Sequence, residues 1–240
     1  MQLIVKADLD EPLTLPVNYN HILQAVIYHG IGIMPEYSDF LHGYGFARGQ
    51  RAYKMFQFSQ LSGEYRVKDK QITFLSRVSF EVRSPEPFFI QLLYESILAN
   101  GITFGSHVYT DVHPELFDYT VESDRLCICM KSPVTVYETN PGTGFAQYFR
   151  PDEQQFYAAV YDNFYRKYQA YYGVEPKSSI EMEPFDEGEF KKMVTSYKGT
   201  YITAWYGTFL LTGRRKYLDF LYQAGLGGKN SQGFGMFQIM

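Results

Sequence analysis

Apolar and polar residues alternate from Gln2 to Leu9, which predicts a half-buried strand. The period becomes helical between Asn18 and Gly30, where Ile22, Leu23, Val26 and Ile27 share one stripe, and Gly30-Ile31-Gly32 with Pro35 ends it. Glu36 to Leu41 predicts a short helix, after which Gly43-Tyr44-Gly45 opens a loop. Alternation returns from Tyr53 to Leu61. A turn at Ser62-Gly63-Glu64 then leads to a strand over Gln71 to Val82, paired with the first. Ser84-Pro85-Glu86-Pro87 starts a helix that runs to about Ala99 and stops at Asn100-Gly101, and Ile102 to Val112 predicts another strand.

Strand, helix, strand, strand, helix, strand is the order of a ferredoxin-like, or RNA-recognition-motif-like, domain. The second half repeats it. Arg125 to Tyr137 is strand-rich, and Pro151 to Tyr172 is a long helix with Phe156, Val160, Phe164, Tyr168 and Tyr171 on one stripe. Ser179 to Phe185 and Thr195 to Leu211 hold strands, Arg214 to Ala224 is a helix, and Phe234 to Ile239 alternates like a last strand. The halves share element order and negligible sequence identity. The predicted fold is α+β: tandem ferredoxin-like domains, residues 1–116 and 117–240, with a central cleft.

Between the last helix and the last strand lie five glycines in eleven residues, Gly225, Gly227, Gly228, Gly233 and Gly235, with Lys229 among them. Glycine permits positive φ and close backbone approach, and a row of exposed N–H groups beside a lysine suits a phosphate. A Walker A loop is excluded, because Gly228-Lys229 is followed by Asn230, Gln223 stands where the first glycine belongs, and the order is helix then strand. A dinucleotide fingerprint needs a βαβ unit that the remaining chain cannot build. A plain helix cap and turn accounts for one or two of the glycines.

A hydrophobic content of 45% with 20% charged residues marks a globular chain of one large or two small domains. No apolar run reaches membrane-spanning length, the first residues do not read as a signal peptide, and Cys127 and Cys129 are too close for an ordinary disulfide, so a cytoplasmic location is expected. A net charge of −4 argues against general nucleic-acid binding. Yet Arg48 to Arg77 holds seven basic residues against two acidic ones, and Arg214, Arg215, Lys216 and Lys229 form a second basic group around the terminal loop. Acidic residues collect elsewhere, notably from Glu175 to Glu189. The 22 tyrosines and 20 phenylalanines offer base stacking, but Tyr157, Tyr161, Tyr165 and Tyr168 sit at helical spacing, which reads as packing.

No metal-ligand spacing stands out: His107 and His113 share a face of a predicted strand but are too far apart to share an ion, and the Cys-x-Cys pair has no second pair. No nucleophile motif is present. What remains is acid–base chemistry by histidine. His42 is singled out by its place, after the helix ending at Tyr28 and His29, before a glycine-containing loop and ahead of the basic strand carrying Lys54.

Taken together, the loop from Gly225 to Met236, the stretch LPVNYNHILQAVIYHGI from Leu15 to Ile31, and the segments Phe40–Phe46 and Tyr53–Leu61 resemble the CRISPR-associated endoribonucleases that cut repeat RNA, the "Cas six" family. The resemblance spans essentially the full length, and the glycine-rich loop before the last strand is its most specific part. It implies tandem ferredoxin-like domains and cleavage of one phosphodiester in each repeat of a precursor transcript to yield guide RNAs. The implied reaction needs no metal or cofactor. The ribose 2′-OH attacks phosphorus and leaves a 2′,3′-cyclic phosphate and a 5′-OH, which calls for a base, an acid and a cation.

Carried onto this chain, the resemblance implies Tyr28, His42 and Lys54 as catalytic residues. His42 would be acid or base, Lys54 would stabilise charge on phosphate, and Tyr28 would position or deprotonate the 2′-OH. His29 is a lesser alternative, pointing about 100° from its helix neighbour, and Arg48 or Arg51 could supply the charge instead. The RNA contacts implied are Gly225, Gly227, Gly228, Lys229, Asn230, Gly233 and Gly235, with Arg48 and Arg51. Expected partners are CRISPR repeat RNA and other CRISPR effector subunits, with no membrane, the protein being a monomer or homodimer. A different class of function on the same fold is a non-catalytic repeat-RNA-binding subunit of an effector complex. On this reading Gly233→Val or Lys229→Ala mainly weakens RNA binding, and His42→Ala mainly slows cutting.

Overall fold

The computed structural model describes residues 1–49, 51–185 and 189–240, so Asp186 and Glu187 of the acidic stretch lie outside the described residues. The first alternation forms β1 (Gln2–Asp8), whose Leu3, Val5 and Ala7 are buried. They share a core with Leu23, Val26 and Ile27 of α1 (Asn20–Ile31) and Ile90 and Leu93 of α2 (Pro87–Asn100). With β2 (Gln57–Phe58), β3 (Arg77–Arg83) and β4 (Val112–Phe117), β1 makes an antiparallel sheet in the order β4-β1-β3-β2.

The second half repeats the arrangement with β5 (Arg125–Met130), α3 (Gln154–Tyr172), β6 (Glu181–Pro184), β7 (Thr208–Thr212), α4 (Arg215–Ala224) and β8 (Phe237–Ile239). Its sheet runs β6-β7-β5-β8, the same topology read from the other edge. The fold is therefore α+β, two ferredoxin-like units in tandem. A cavity of about 510 Å³ lies on the first half, lined by residues that include Ile4, Ser59, Ser79 and Glu81, with Lys131 of the second half at its edge. Among the described residues no helix is long and apolar enough to cross a membrane.

Three strands differ from the periodicity, each for a packing reason. Tyr53–Leu61 is not continuous: Arg51–Tyr53 pairs with Phe46–Arg48 in a hairpin, and only Gln57–Phe58 joins the sheet. Between them Met55 adopts φ 53°, its carbonyl held by the Ser84 hydroxyl at 2.6 Å. Met55 is buried in the core of the second half and Phe56 in that of the first, so the apolar alternation serves two cores. Gln71–Val82 splits, its first part pairing with Leu13–Pro16 and Tyr65–Lys68 and its second entering the sheet as β3. Ile102–Val112 folds back as a hairpin, Ile102–Phe104 with His107–Tyr109, before β4 begins. His107 and His113 therefore stand on different strands.

The halves meet through a buried polar seam. Arg83 is 2% exposed, its guanidinium 3.7 Å over the Tyr222 ring and donating to the Phe237 carbonyl at 2.7 Å, while Glu81 pairs with Arg83 and Lys131. Such a network is worth keeping only with its partners satisfied, since a lone buried charge is strongly unfavourable. The hairpin Lys191–Tyr197/Thr200–Tyr206 reaches back to the first half, where Thr195 donates to Oδ1 of Asn18, just ahead of α1, at 2.8 Å and Tyr197 donates to Gln24 of α1.

The glycine loop is part of this seam, which corrects its reading as a row of exposed donors. The amides of Gly225, Gly228, Gly233 and Gly235 donate to the carbonyls of Leu221, Thr135, Asn230 and Pro133 at 2.8–3.0 Å. Gly233 has φ 86°, and a Cβ there would lie 2.7 Å from both Asn20 and Phe58. Gly233→Val is thus a fold mutation, not a clean probe of RNA binding. It is expected to lower stability by about 2–4 kcal/mol through strain and overpacking, against within about 0.5 kcal/mol for Lys229→Ala. Urea unfolding of both variants checks this.

Candidate active site

Three elements converge on one point of the first half. α1 carries Tyr28, half-buried, with its ring 5.8 Å from that of Phe56. The helix Pro35–Asp39 runs directly into a π-helical turn, Phe40–Tyr44, that buries Leu41 and exposes His42. The turn continues through Gly43 and Tyr44, where the sequence had suggested a loop. It is closed by the Gly45 amide donating to the Phe40 carbonyl at 2.7 Å. Position 45 requires glycine: its φ is 61°, and a Cβ would fall 2.6 Å from the Tyr53 carbonyl and 3.2 Å from the Lys54 Cδ. The chain passes this close to Lys54, and Lys54 Nζ donates to the His42 carbonyl at 2.9 Å. The Tyr28 and His42 rings are 5.5 Å apart, near edge-on at 73°.

Burial sets the protonation of two of these groups. It pushes the Tyr28 phenol up to about 12, helped by nearby Tyr197, so near neutral pH the hydroxyl keeps its proton. It pulls the Lys54 ammonium below the ordinary lysine value, which makes it a better proton donor than a free lysine. A neutral phenol, an imidazole and an ammonium in one cluster supply hydrogen bonding, proton transfer and positive charge.

The other candidates fall differently. His29 is exposed and lines a separate cavity of about 370 Å³ with Ser96, Asn100 and Thr103. Arg48 and Arg51 are exposed cross-strand partners on the hairpin Phe46–Tyr53, which packs on α3 with the Phe46 ring 5.3 Å from that of Tyr171. Lys229 sits with its Nζ 5.1 Å above the Tyr137 ring. Asn230 is spent inside the loop, its Nδ2 donating to the Leu226 and Phe234 carbonyls at 2.9 and 3.0 Å. Arg214, Arg215 and Lys216 do not join Lys229. They stand at the start of α4, about 15 Å of helix from the glycine loop at its other end.

Sequence reasoning missed three residues. Gln24, one turn before Tyr28 on the same face of α1, donates from Nε2 to the Ser231 carbonyl and so ties the glycine loop to α1. Asn163 and Arg166 on α3 border the loop and the hairpin. Asn163 Nδ2 is 4.0 Å from a Cβ placed on Gly228, and the Arg166 charge, like that of Arg51, acts on the buried Tyr53 phenol. The four-residue step from Gln24 to Tyr28 and the polar pair in an aromatic helix were the available signals.

Among the described residues Asp8, Asp111 and His113 bring ligand atoms within 4.8 Å of one another. Both Asp8 oxygens already accept from Arg77, at 2.7 and 3.0 Å, so the position is filled by a guanidinium.

Comparison with known proteins gives the family of the chain. The family model for CRISPR associated protein Cas6, C-terminal, matches residues 115–239, the part holding the glycine loop; Tyr28, His42 and Lys54 lie outside the match. The chain is 26% identical over 242 residues to the CRISPR-associated endoribonuclease Cas6 of Pyrococcus furiosus, covering 98% of this chain and 88% of that one. Its fold superposes on the structure of a Cas6-related gene product from Pyrococcus furiosus with a TM-score of 0.82 at 20% identity, covering 100% of this chain and 98% of that one. A structure described as a RAMP protein binding different RNA substrates gives 0.81 at 21% identity, covering 100% and 99%. Because the matched family model spans more than half of its length, the chain belongs to the CRISPR-associated Cas6 family.

Proposed function

We propose that the protein is an endoribonuclease that cuts CRISPR precursor transcripts within each repeat, in the cytoplasm, and that Tyr28, His42 and Lys54 form its catalytic centre. One observation carries this reading: three separate segments converge, with the Tyr28 and His42 rings 5.5 Å apart and Lys54 Nζ on the main-chain carbonyl of His42 at 2.9 Å. These are the groups that attack of a 2′-OH on the adjacent phosphate requires, without a metal.

In the proposed reaction His42 takes the proton of the 2′-OH as the oxygen bonds to phosphorus. The bond from phosphorus to the 5′-oxygen breaks, and Lys54, whose ammonium burial has made more acidic, protonates that oxygen while its charge stabilises the phosphorane. Tyr28 acts as a hydrogen-bond donor that aligns the phosphate. As a base it is unsuited, since at its raised value only a minute fraction is tyrosinate near neutral pH. The products are a 2′,3′-cyclic phosphate and a 5′-OH. The RNA path runs from this centre over Arg48 and Arg51, past Arg166, to Lys229 at the rim of the glycine loop. The loop glycines shape that rim from inside.

A synthetic RNA of the associated repeat, incubated in excess EDTA, is expected to be cleaved, and a 2′-deoxy nucleotide at the cut to block cleavage. His42→Ala should slow cutting about 10²- to 10⁴-fold with affinity retained. Tight binding without cleavage by the wild-type protein leaves the binding-subunit reading, and strict dependence on magnesium overturns the mechanism. Tyr28→Phe should lose about 10- to 100-fold in rate at saturating RNA, while its pH–rate profile runs parallel to wild type up to about pH 9, because the phenol does not titrate below its raised value; a lost alkaline limb would make Tyr28 the base. Arg166→Met should weaken RNA binding by about 3- to 30-fold with the saturated rate kept, read by filter binding at two salt concentrations.

A further inference from the structure

α3 carries a lysine that neither the cores nor the catalytic centre explains. Lys167 is 2% exposed, and among the described residues no carboxylate pairs with it. Its ammonium instead points into the glycine loop. It donates to the carbonyls of Gly225 at 2.5 Å and Gly227 at 3.3 Å and to Asn230 Oδ1 at 2.9 Å, with the Ala224 carbonyl at 3.5 Å.

Three of these acceptors are main-chain carbonyls that the loop turns inward. Ala224 and Gly225 end α4, where unsatisfied carbonyls carry the negative end of the helix dipole. Gly225 and Gly227 stand at φ 85° and 61°, conformations that aim their carbonyls at the lysine and that other residues rarely adopt. A Cβ on Gly225 would lie 2.6 Å from the Asn230 amide, and one on Gly227 would lie 2.6 Å from the Thr135 carbonyl. Asn230 accepts from Lys167 and donates to two more loop carbonyls. One ammonium and one amide thus satisfy the interior of the loop.

Burying a lysine without a counter-ion is unfavourable: burial pulls its pKa down to about 7. An apolar residue on the stripe of Phe164 and Tyr168 would pack at lower free-energy cost. The arrangement therefore selects for one loop conformation over maximal stability.

We infer that Lys167 is the positioning residue of the RNA-binding rim: its buried ammonium gathers the carbonyls of Gly225 and Gly227 and Asn230 Oδ1 so that Lys229 and Ser231 face the RNA backbone. This rests on the proposed function and adds to it a residue that never touches the substrate. Lys229 follows Gly228 directly and has φ 58°, and Ser231 adjoins Asn230, so the rim inherits its orientation from the pinned interior. Ser231 is in turn the loop residue whose carbonyl Gln24 of the catalytic helix holds.

The test compares wild type with Lys167→Met, which keeps the length of the side chain and removes the charge, using the synthetic repeat RNA. Affinity is read by filter binding, and the single-turnover cleavage rate is read at saturating RNA. The expected result is a loss of affinity of about tenfold or more, with the saturated rate within about threefold of wild type and an unchanged circular-dichroism spectrum. Unchanged affinity overturns the inference, as does a parallel loss of affinity, saturated rate and melting temperature, which would mark a general packing defect. If Lys167→Met does not fold, Lys167→Gln, which keeps an N–H donor, should bind about 3- to 10-fold more weakly at an intact saturated rate, and wild-type affinity again overturns the inference. Failure of wild type to bind the RNA at all would instead remove the functional reading beneath it.

Discussion

The structure depends on how closely the glycine loop approaches its neighbours. A Cβ would meet Gln57 at 2.8 Å from Gly225, Phe58 at 2.7 Å from Gly233, and the Leu226 carbonyl at 2.0 Å from Gly235. Only backbone without side chains fits there, and backbone brought into a buried seam must have its polar groups satisfied, at about 1–3 kcal/mol for each one left unpaired. The chain meets that demand with neighbouring carbonyls for the amides and with Lys167 and Asn230 for the inward carbonyls. The loop is the joint through which the second ferredoxin-like unit is seated on the first.

The same joint places the candidate active site. Met55 must enter the second core and Phe56 the first, which forces Met55 into a left-handed conformation costing about 1–3 kcal/mol. Lys54 is thereby left at the boundary, where it reaches the π-turn bearing His42. Tyr28 and Gln24, one helical turn apart, divide the work of α1: Tyr28 lies against His42 and Gln24 holds the loop.

Charge follows the same geography. The chain is acidic overall, at −4. Yet Arg83 and Lys131 are consumed by Glu81 in the seam and Arg77 by Asp8, while Arg48 and Arg51 stand exposed on the hairpin beside α3. A polyanion meets a local basic strip on such a protein without the protein being basic as a whole, which is how a negative net charge and an RNA substrate coexist.

Local periodicity was enough for the element order. The alternation of Gln2–Leu9, the stripe of α1 and the Phe156–Tyr171 stripe each depend on neighbours within a few residues, and the doubled order of the ferredoxin-like unit follows from them. The resemblance implied Tyr28, His42 and Lys54 as one site. How they meet could not be read from the chain, because it turns on Met55 choosing the other core and on a π-turn closing at Gly45, and both are set by residues far away in the chain. The glycine run announced an unusual backbone but could not say whether its amides face solvent or protein. That was decided by Gln57, Phe58 and Thr135, which approach only in three dimensions. Lys167 shows the limit most plainly: in sequence it is one more charged residue on an amphipathic helix, and only the loop carbonyls assembled around it in the fold give its burial a reason.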